Sequence, residues 1–156
     1  MNEKLKVSFD KPDQGWLVIY LNAGEKHLKL PFPYTSFEFP AELVYALLNF
    51  SEGFRSKARC RHNPERYEFE FHPESEPAQV EVIIYPGYKN PDIGDVIFNY
   101  KGSRSEILLA FWLGVRELQA RIPPEEYDRG YGREFPVREI KLLAEKIKGK
   151  NAAERL

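Results

Sequence analysis

Apolar and polar side chains alternate at the start of the chain. Leu5, Val7 and Phe9 interleave with Lys4, Lys6 and Ser8, which predicts a half-buried strand over 3–10. Trp16 to Leu21 is apolar at every position, which predicts a strand covered on both faces. Leu28 and Leu30 then alternate with His27 and Lys29 in a third strand. Lys11-Pro12-Asp13-Gln14-Gly15 and Asn22-Ala23-Gly24-Glu25 carry turn chemistry, so the three strands read as an antiparallel meander that Pro31 and Pro33 bring to an end.

The period then changes. From Glu42 to Phe50, Leu43, Leu47 and Phe50 with Val44 and Leu48 fall at helical spacing. Pro40 suits the first turn, and Gly53 suits a left-handed exit. Alternation returns at Lys57–His62 and Tyr67–His72, with Asn63-Pro64-Glu65-Arg66 between them. A four-residue hairpin loop sets His62 opposite Tyr67, Arg61 opposite Glu68, Cys60 opposite Phe69 and Arg59 opposite Glu70. That register makes two cross-strand ion pairs, each contributing about 0.2–1 kcal/mol.

Two more strands follow over 79–85 and 95–101, joined by a long loop through Pro86 and Asp92. Ser103 or Ser105 can cap the next helix, with Glu106 completing a capping box in the first case. Its apolar face holds Ile107, Leu108, Phe111, Trp112, Val115, Leu118 and Ile122, and it ends before Pro123-Pro124. Residues 123–135 show no period and predict a loop. A last helix over 136–148 repeats Val137, Ile140, Leu143 and Ile147 and stops at Gly149. The sum is an α+β fold: an antiparallel β-meander sheet of about seven strands packed against two helices, plus a C-terminal helix, in one domain over 1–156.

Composition narrows the class. At 156 residues with 42% hydrophobic and 14% aromatic content, the chain can bury a core and is not a disordered tail. Cys60 is its single cysteine, which excludes a disulfide scaffold. The longest apolar run, Ile107 to Leu113, is far short of the roughly 20 residues that span a bilayer. The opening Met1-Asn2-Glu3-Lys4 lacks a signal-peptide core, so the expectation is a cytoplasmic protein without membrane contact. With 23 basic and 24 acidic residues, nothing draws it to nucleic acid.

Candidate chemistry is sparse. Cys60 and His62 share a strand face, but the hairpin register sets His72 on the other face. Three metal ligands therefore do not converge, and Cys60 reads as an inert buried thiol. Glu65, Glu68, Glu70, Glu74, Glu76 and Glu81 form an acidic block that reads as a solvated surface rather than a catalytic pair. Three histidines supply few general bases, and no cofactor fingerprint occurs. The C-terminal stretch carries six basic and three acidic residues, too few cations for a membrane or nucleic-acid helix. It docks on the domain or on a second subunit, so a homodimer is one option.

Binding chemistry is richer. Tyr127, Arg129, Tyr131 and Arg133 in the 123–135 segment combine aromatic area with planar donors, as interface hot spots do; the alternative is a surface loop that packs its own tyrosines on the body. Tyr85 and Tyr88, around Pro86-Gly87, form a second such group.

The order Trp16-Leu17, Tyr34-Thr35-Ser36, then Leu43, Leu47 and Leu48 before Gly53 resembles a group of small uncharacterised bacterial proteins. The hairpin rich in Phe and Glu fits that pattern. So does the helix opening Ser105-Glu106-Ile107-Leu108-Leu109 with Phe111-Trp112, and together they cover roughly 16–121. The pattern is also similar to small immunity-type antitoxins, single α+β domains that block a toxin by binding it. The resemblance implies a protein partner and carries no site residues. The reading is a non-enzymatic protein-binding module, with toxin neutralisation as its most concrete form. The alternative is a small enzyme or ligand-binding domain with an aromatic-lined pocket on the sheet.

Overall fold

The computed structural model describes residues 3–34, 39–62, 64–87, 93–132 and 135–154. The elements run β1 (Lys6–Phe9), β2 (Trp16–Ala23), β3 (Lys26–Pro33), α1 (Ala41–Ser51), β4 (Ser56–His62), β5 (Glu65–His72), β6 (Ala78–Tyr85) and β7 (Asp95–Gly102). The helices α2 (Arg104–Arg121), α3 (Pro124–Tyr131) and α4 (Val137–Glu154) follow. The fold is α+β, and its seven strands divide into two antiparallel sheets ordered β1-β2-β3 and β4-β5-β6-β7.

The inner faces of both sheets meet the helices in one apolar core. Phe69 and Phe71 of β5 stand 6.5 and 5.3 Å from Phe111 of α2, and Phe71 is 5.5 Å from Phe50 of α1. Phe39 links the sheets, 5.7 Å from Phe69 and 4.2 Å from Phe32 of β3. Cys60 is fully buried, and burial pushes its thiol pKa up. Ser103 caps α2 by accepting the Glu106 amide at 3.1 Å.

Every outer strand carries a device that blunts strand addition. Against β1 lies the α2 backbone, so close that a Cβ on Gly114 would sit 2.6 Å from the Val7 carbonyl oxygen. Arg121 also donates to the Phe9 carbonyl at 2.6 Å. On β3, Pro31 and Pro33 have no N–H to offer. The β4 amide of Arg59 donates to Glu42 of α1 at 3.0 Å. Val82 pairs with Phe98 and Ile83 with Val96, leaving Ile97 as the extra residue of a bulge on β7. Lys26 takes the Asn99 carbonyl beyond it at 3.3 Å. Each strand edge is therefore interrupted at one or more positions, which disfavours the addition of a further strand.

Four expectations change. The β4–β5 hairpin is tighter by two residues: His62 faces Glu65, Cys60 faces Tyr67, Arg59 faces Glu68 and Arg61 faces Arg66. A two-residue shift keeps Ala58 and Cys60 on the core face, so burial does not distinguish the registers. Cross-strand charge pairs are too weak to override a short turn. The Arg61–Arg66 opposition is relieved because Arg66 stacks on Tyr85, 4.4 Å from its ring centre. The strand β3 continues through both prolines, as an edge strand can. Residues 124–131 are helical rather than loop. Finally, α4 continues past Gly149, with Ile140, Leu143 and Ile147 buried and Lys146 paired with Glu52 of α1 at 2.6 Å.

Candidate functional site

The residues expected to bind a partner divide. Tyr127 and Tyr131 are fully buried, so they are packing residues. Their helix, α3, opens at Pro124 with Glu125 and Glu126 in its first turn, and Gly132 ends it in the left-handed region. The Tyr127 ring packs 5.6 Å from Tyr131 and 4.7 Å from Phe135. The Tyr131 hydroxyl donates to the carbonyls of Phe39 at 3.1 Å and Pro33 at 3.2 Å. The Tyr127 hydroxyl has no hydrogen-bond partner among the described residues, and burial pushes its pKa up. Arg129 is exposed on the far side of α3 and Tyr85 is half-buried. Arg133 and Tyr88 lie outside the described residues.

What α3 does is hold a corner of the smaller sheet. Asp13 and Trp16 exchange both backbone bonds, 2.9 and 3.0 Å, across a two-residue turn. Its central Gln14 and Gly15 both have positive φ, 50° and 82°, the requirement of a type I′ hairpin turn. The Gly15 amide donates to the Gly130 carbonyl of α3 at 2.6 Å, and its carbonyl accepts the Tyr34 amide at 2.8 Å. The turn is thus tied to α3 on one side and to the end of β3 on the other.

This fixes the outer face of β1–β3. Trp16, Val18 and Tyr20 point outward from β2, opposite Pro33, Pro31 and Lys29 of β3. Trp16 is 42% exposed and Tyr34, beside it, 48%. The run at Trp16–Leu21, expected to be covered on both faces, is covered on one. Leu17, Ile19 and Leu21 are fully buried, and the alternate residues form an aromatic stripe. Tyr20 donates to Asp10 at 2.6 Å, and this hydrogen bond is the main reason its phenol pKa is raised. No strand position of this face holds a carboxylate, while Lys6 and Lys29 stand at its other end.

The outer face of β4–β7 is ionic over β4, β5 and the start of β6, and turns apolar towards the β7 edge, where Val96, opposite Ile83, is 52% exposed. Glu68 is 4% exposed, 3.1 Å from Lys57 and 3.9 Å from Arg66. His72 is buried among carboxylates, 2.9 Å from Glu81, 3.6 Å from Glu74 and 3.9 Å from Glu70, while Arg55 donates to its Nδ1 at 3.0 Å. That donation makes Nδ1 the acceptor, while Nε2, though near Glu81, has no hydrogen-bond partner among the described residues. Arg59, expected to face Glu70, instead pairs with Glu42 at 2.8 Å. Among the described residues no group of three His, Cys, Asp or Glu side chains is arranged to hold a metal ion.

A cleft of about 650 Å³ opens beside the start of α2, lined by Lys26, Asn99, Tyr100, Lys101 and Glu106 among others. Its lining is largely polar, with Tyr100 its one aromatic, so it is not the aromatic-lined pocket that the alternative reading expects. Among the described residues no helix is long and apolar enough to cross a membrane. No protein family, curated protein or solved structure matches this chain.

Proposed function

We propose that the chain is a protein-binding module that engages its partner through the outer face of β1–β3. One observation carries the reading: Trp16 and Tyr34 are exposed, and Val18, Tyr20 and Pro31 half-buried, in one continuous aromatic and apolar stripe. Tryptophan and tyrosine dominate binding hot spots because they supply large, rigid contact area at little entropic cost. The tied Gly15 turn holds that area in place before any partner arrives, which lowers the ordering cost of association. Neutralisation of a toxin by direct capture is one form such binding takes, and it needs no catalytic group on this chain.

A photo-crosslinking amino acid at Val18 tests the reading in the native host. Covalent capture of a protein from position 18, and none from position 81 on the other sheet, is the expected result. Equal capture from both, or capture from position 81 alone, contradicts it.

A further inference from the structure

We infer that the partner element seated on the outer face of β1–β3 is an acidic segment with apolar anchors, bound in one polarity. This deepens the reading above and rests on it. The face has two ends. Beside the Gly15 turn it is apolar, with Trp16 opposite Pro33 and Val18 opposite Pro31. At the other end Lys6 and Lys29 are exposed on strand positions, and Lys29 stands 6.0 Å from the Tyr20 ring centre.

The chain as a whole is balanced, 23 basic against 24 acidic residues, so a face without carboxylates on its strands is a local segregation of charge. The acids that flank the face are Asp10, engaged by the Tyr20 hydroxyl at 2.6 Å, and Asp13, bridged to Trp16 at the apolar end, where it disfavours a partner carboxylate. A partner whose apolar side chains cover Trp16 and Val18, and whose carboxylates reach Lys29 and Lys6, matches both ends at once. The same segment reversed sets carboxylates against Trp16 and Pro33 and loses both contacts, which sets the polarity. Interrupted strand edges, with Pro31 and Pro33 on β3, favour a segment lying across the face over one adding a strand. An anionic lipid surface shares part of this chemistry. Two lysines, however, fall short of the about four to eight basic residues that mark lipid recognition.

Panning a random dodecapeptide phage library against the full chain tests this. Recovered peptides should carry Asp or Glu to one side of an aromatic or aliphatic pair. A synthetic consensus peptide should lose about tenfold or more in affinity with Trp16→Ala, and comparably with Lys6→Glu/Lys29→Glu. Lys6→Gln/Lys29→Gln serves where reversal unsettles the sheet, and should weaken binding less but in the same direction. A peptide that depends on Trp16 but ignores both lysine pairs overturns the acidic partner and spares the surface. Recovery of no peptide, or of peptides indifferent to Trp16→Ala, overturns the inference; the surface falls with it only if position 18 also fails to crosslink. Binding to phosphatidylserine vesicles that Trp16→Ala abolishes, without peptide recovery, overturns it in favour of lipid.

Discussion

The outer faces of the two sheets differ in what folding asks of them. On β4–β7, polar side chains bind one another: Lys57 and Arg66 flank the buried Glu68, and His72 sits between Glu81 and Arg55. Over β4 and β5 the charges meet one another within the chain, while Val96 and Ile97 stay exposed at the β7 edge. On β1–β3 the corresponding positions hold Trp16, which is exposed, and Val18, Tyr20 and Pro31, which are half-buried. Burial satisfied internally points to stability. Apolar area held rigid and left in water points to recognition. The difference predicts that damage to the first face shows in melting, and damage to the second in binding.

The largest effect is expected at Glu68. Glu68→Lys sets a third cation at a buried position between Lys57 and Arg66 and should destabilise by about 3 kcal/mol or more. That corresponds to a fall in melting temperature of roughly 6–12 °C for a chain of this size. Lys29→Glu on the other sheet should change stability by no more than about 0.5 kcal/mol. Equal losses at the two sites would erase the distinction.

The tyrosines of α3 sharpen it further, since they lie under the aromatic corner without being part of its surface. Tyr131→Phe removes the donor to the Phe39 and Pro33 carbonyls and should cost about 1 kcal/mol in a denaturant titration. Tyr127→Phe should be neutral, or stabilising by up to about 1 kcal/mol, because the hydroxyl it removes has no partner among the described residues.

A pH effect follows from the same burial. The Tyr127 pKa is raised in the folded chain, so its contribution is fully present below the unfolded value of 10.0 and is lost as pH rises above it. Tyr127→Phe should therefore lose less stability than the wild type above pH 10, read from melting curves. The smallest effect concerns Cys60: with its thiol buried and protonated, alkylation of the native chain at neutral pH should proceed only as fast as the chain opens.

Much of the fold was legible because it depends on period. Alternation marked six of the seven strands and an unbroken apolar run marked β2, helical spacing marked α1, α2 and α4, and the Ser103 cap was readable from Ser-x-x-Glu. The hairpin register was not, since registers two residues apart bury the same side chains. The α3 helix was missed for want of apolar period over one short stretch. Its capping chemistry, Pro-Pro-Glu-Glu at the start and Gly132 at the end, was the available signal.

The aromatic face was hidden for a different reason. An unbroken apolar run such as Trp16–Leu21 reads as buried on both sides. Whether the second side is covered depends on which elements pack there, and that is a tertiary fact. Pro31 and Pro33 were the clue, because prolines inside a strand mark a sheet edge, and a three-stranded sheet bounded that way has few neighbours to cover it.

The most direct test sets the partner captured by wild-type chain from the native host against that captured by Trp16→Ala, measured by quantitative mass spectrometry. Trp16→Ala should melt within about 4 °C of the wild type, a loss of no more than about 1 kcal/mol. It should retain less than about a tenth of the partner, while Glu81→Gln on the ionic face retains it fully. Undiminished capture by a folded Trp16→Ala chain, or loss of the partner with Glu81→Gln alone, would contradict the account.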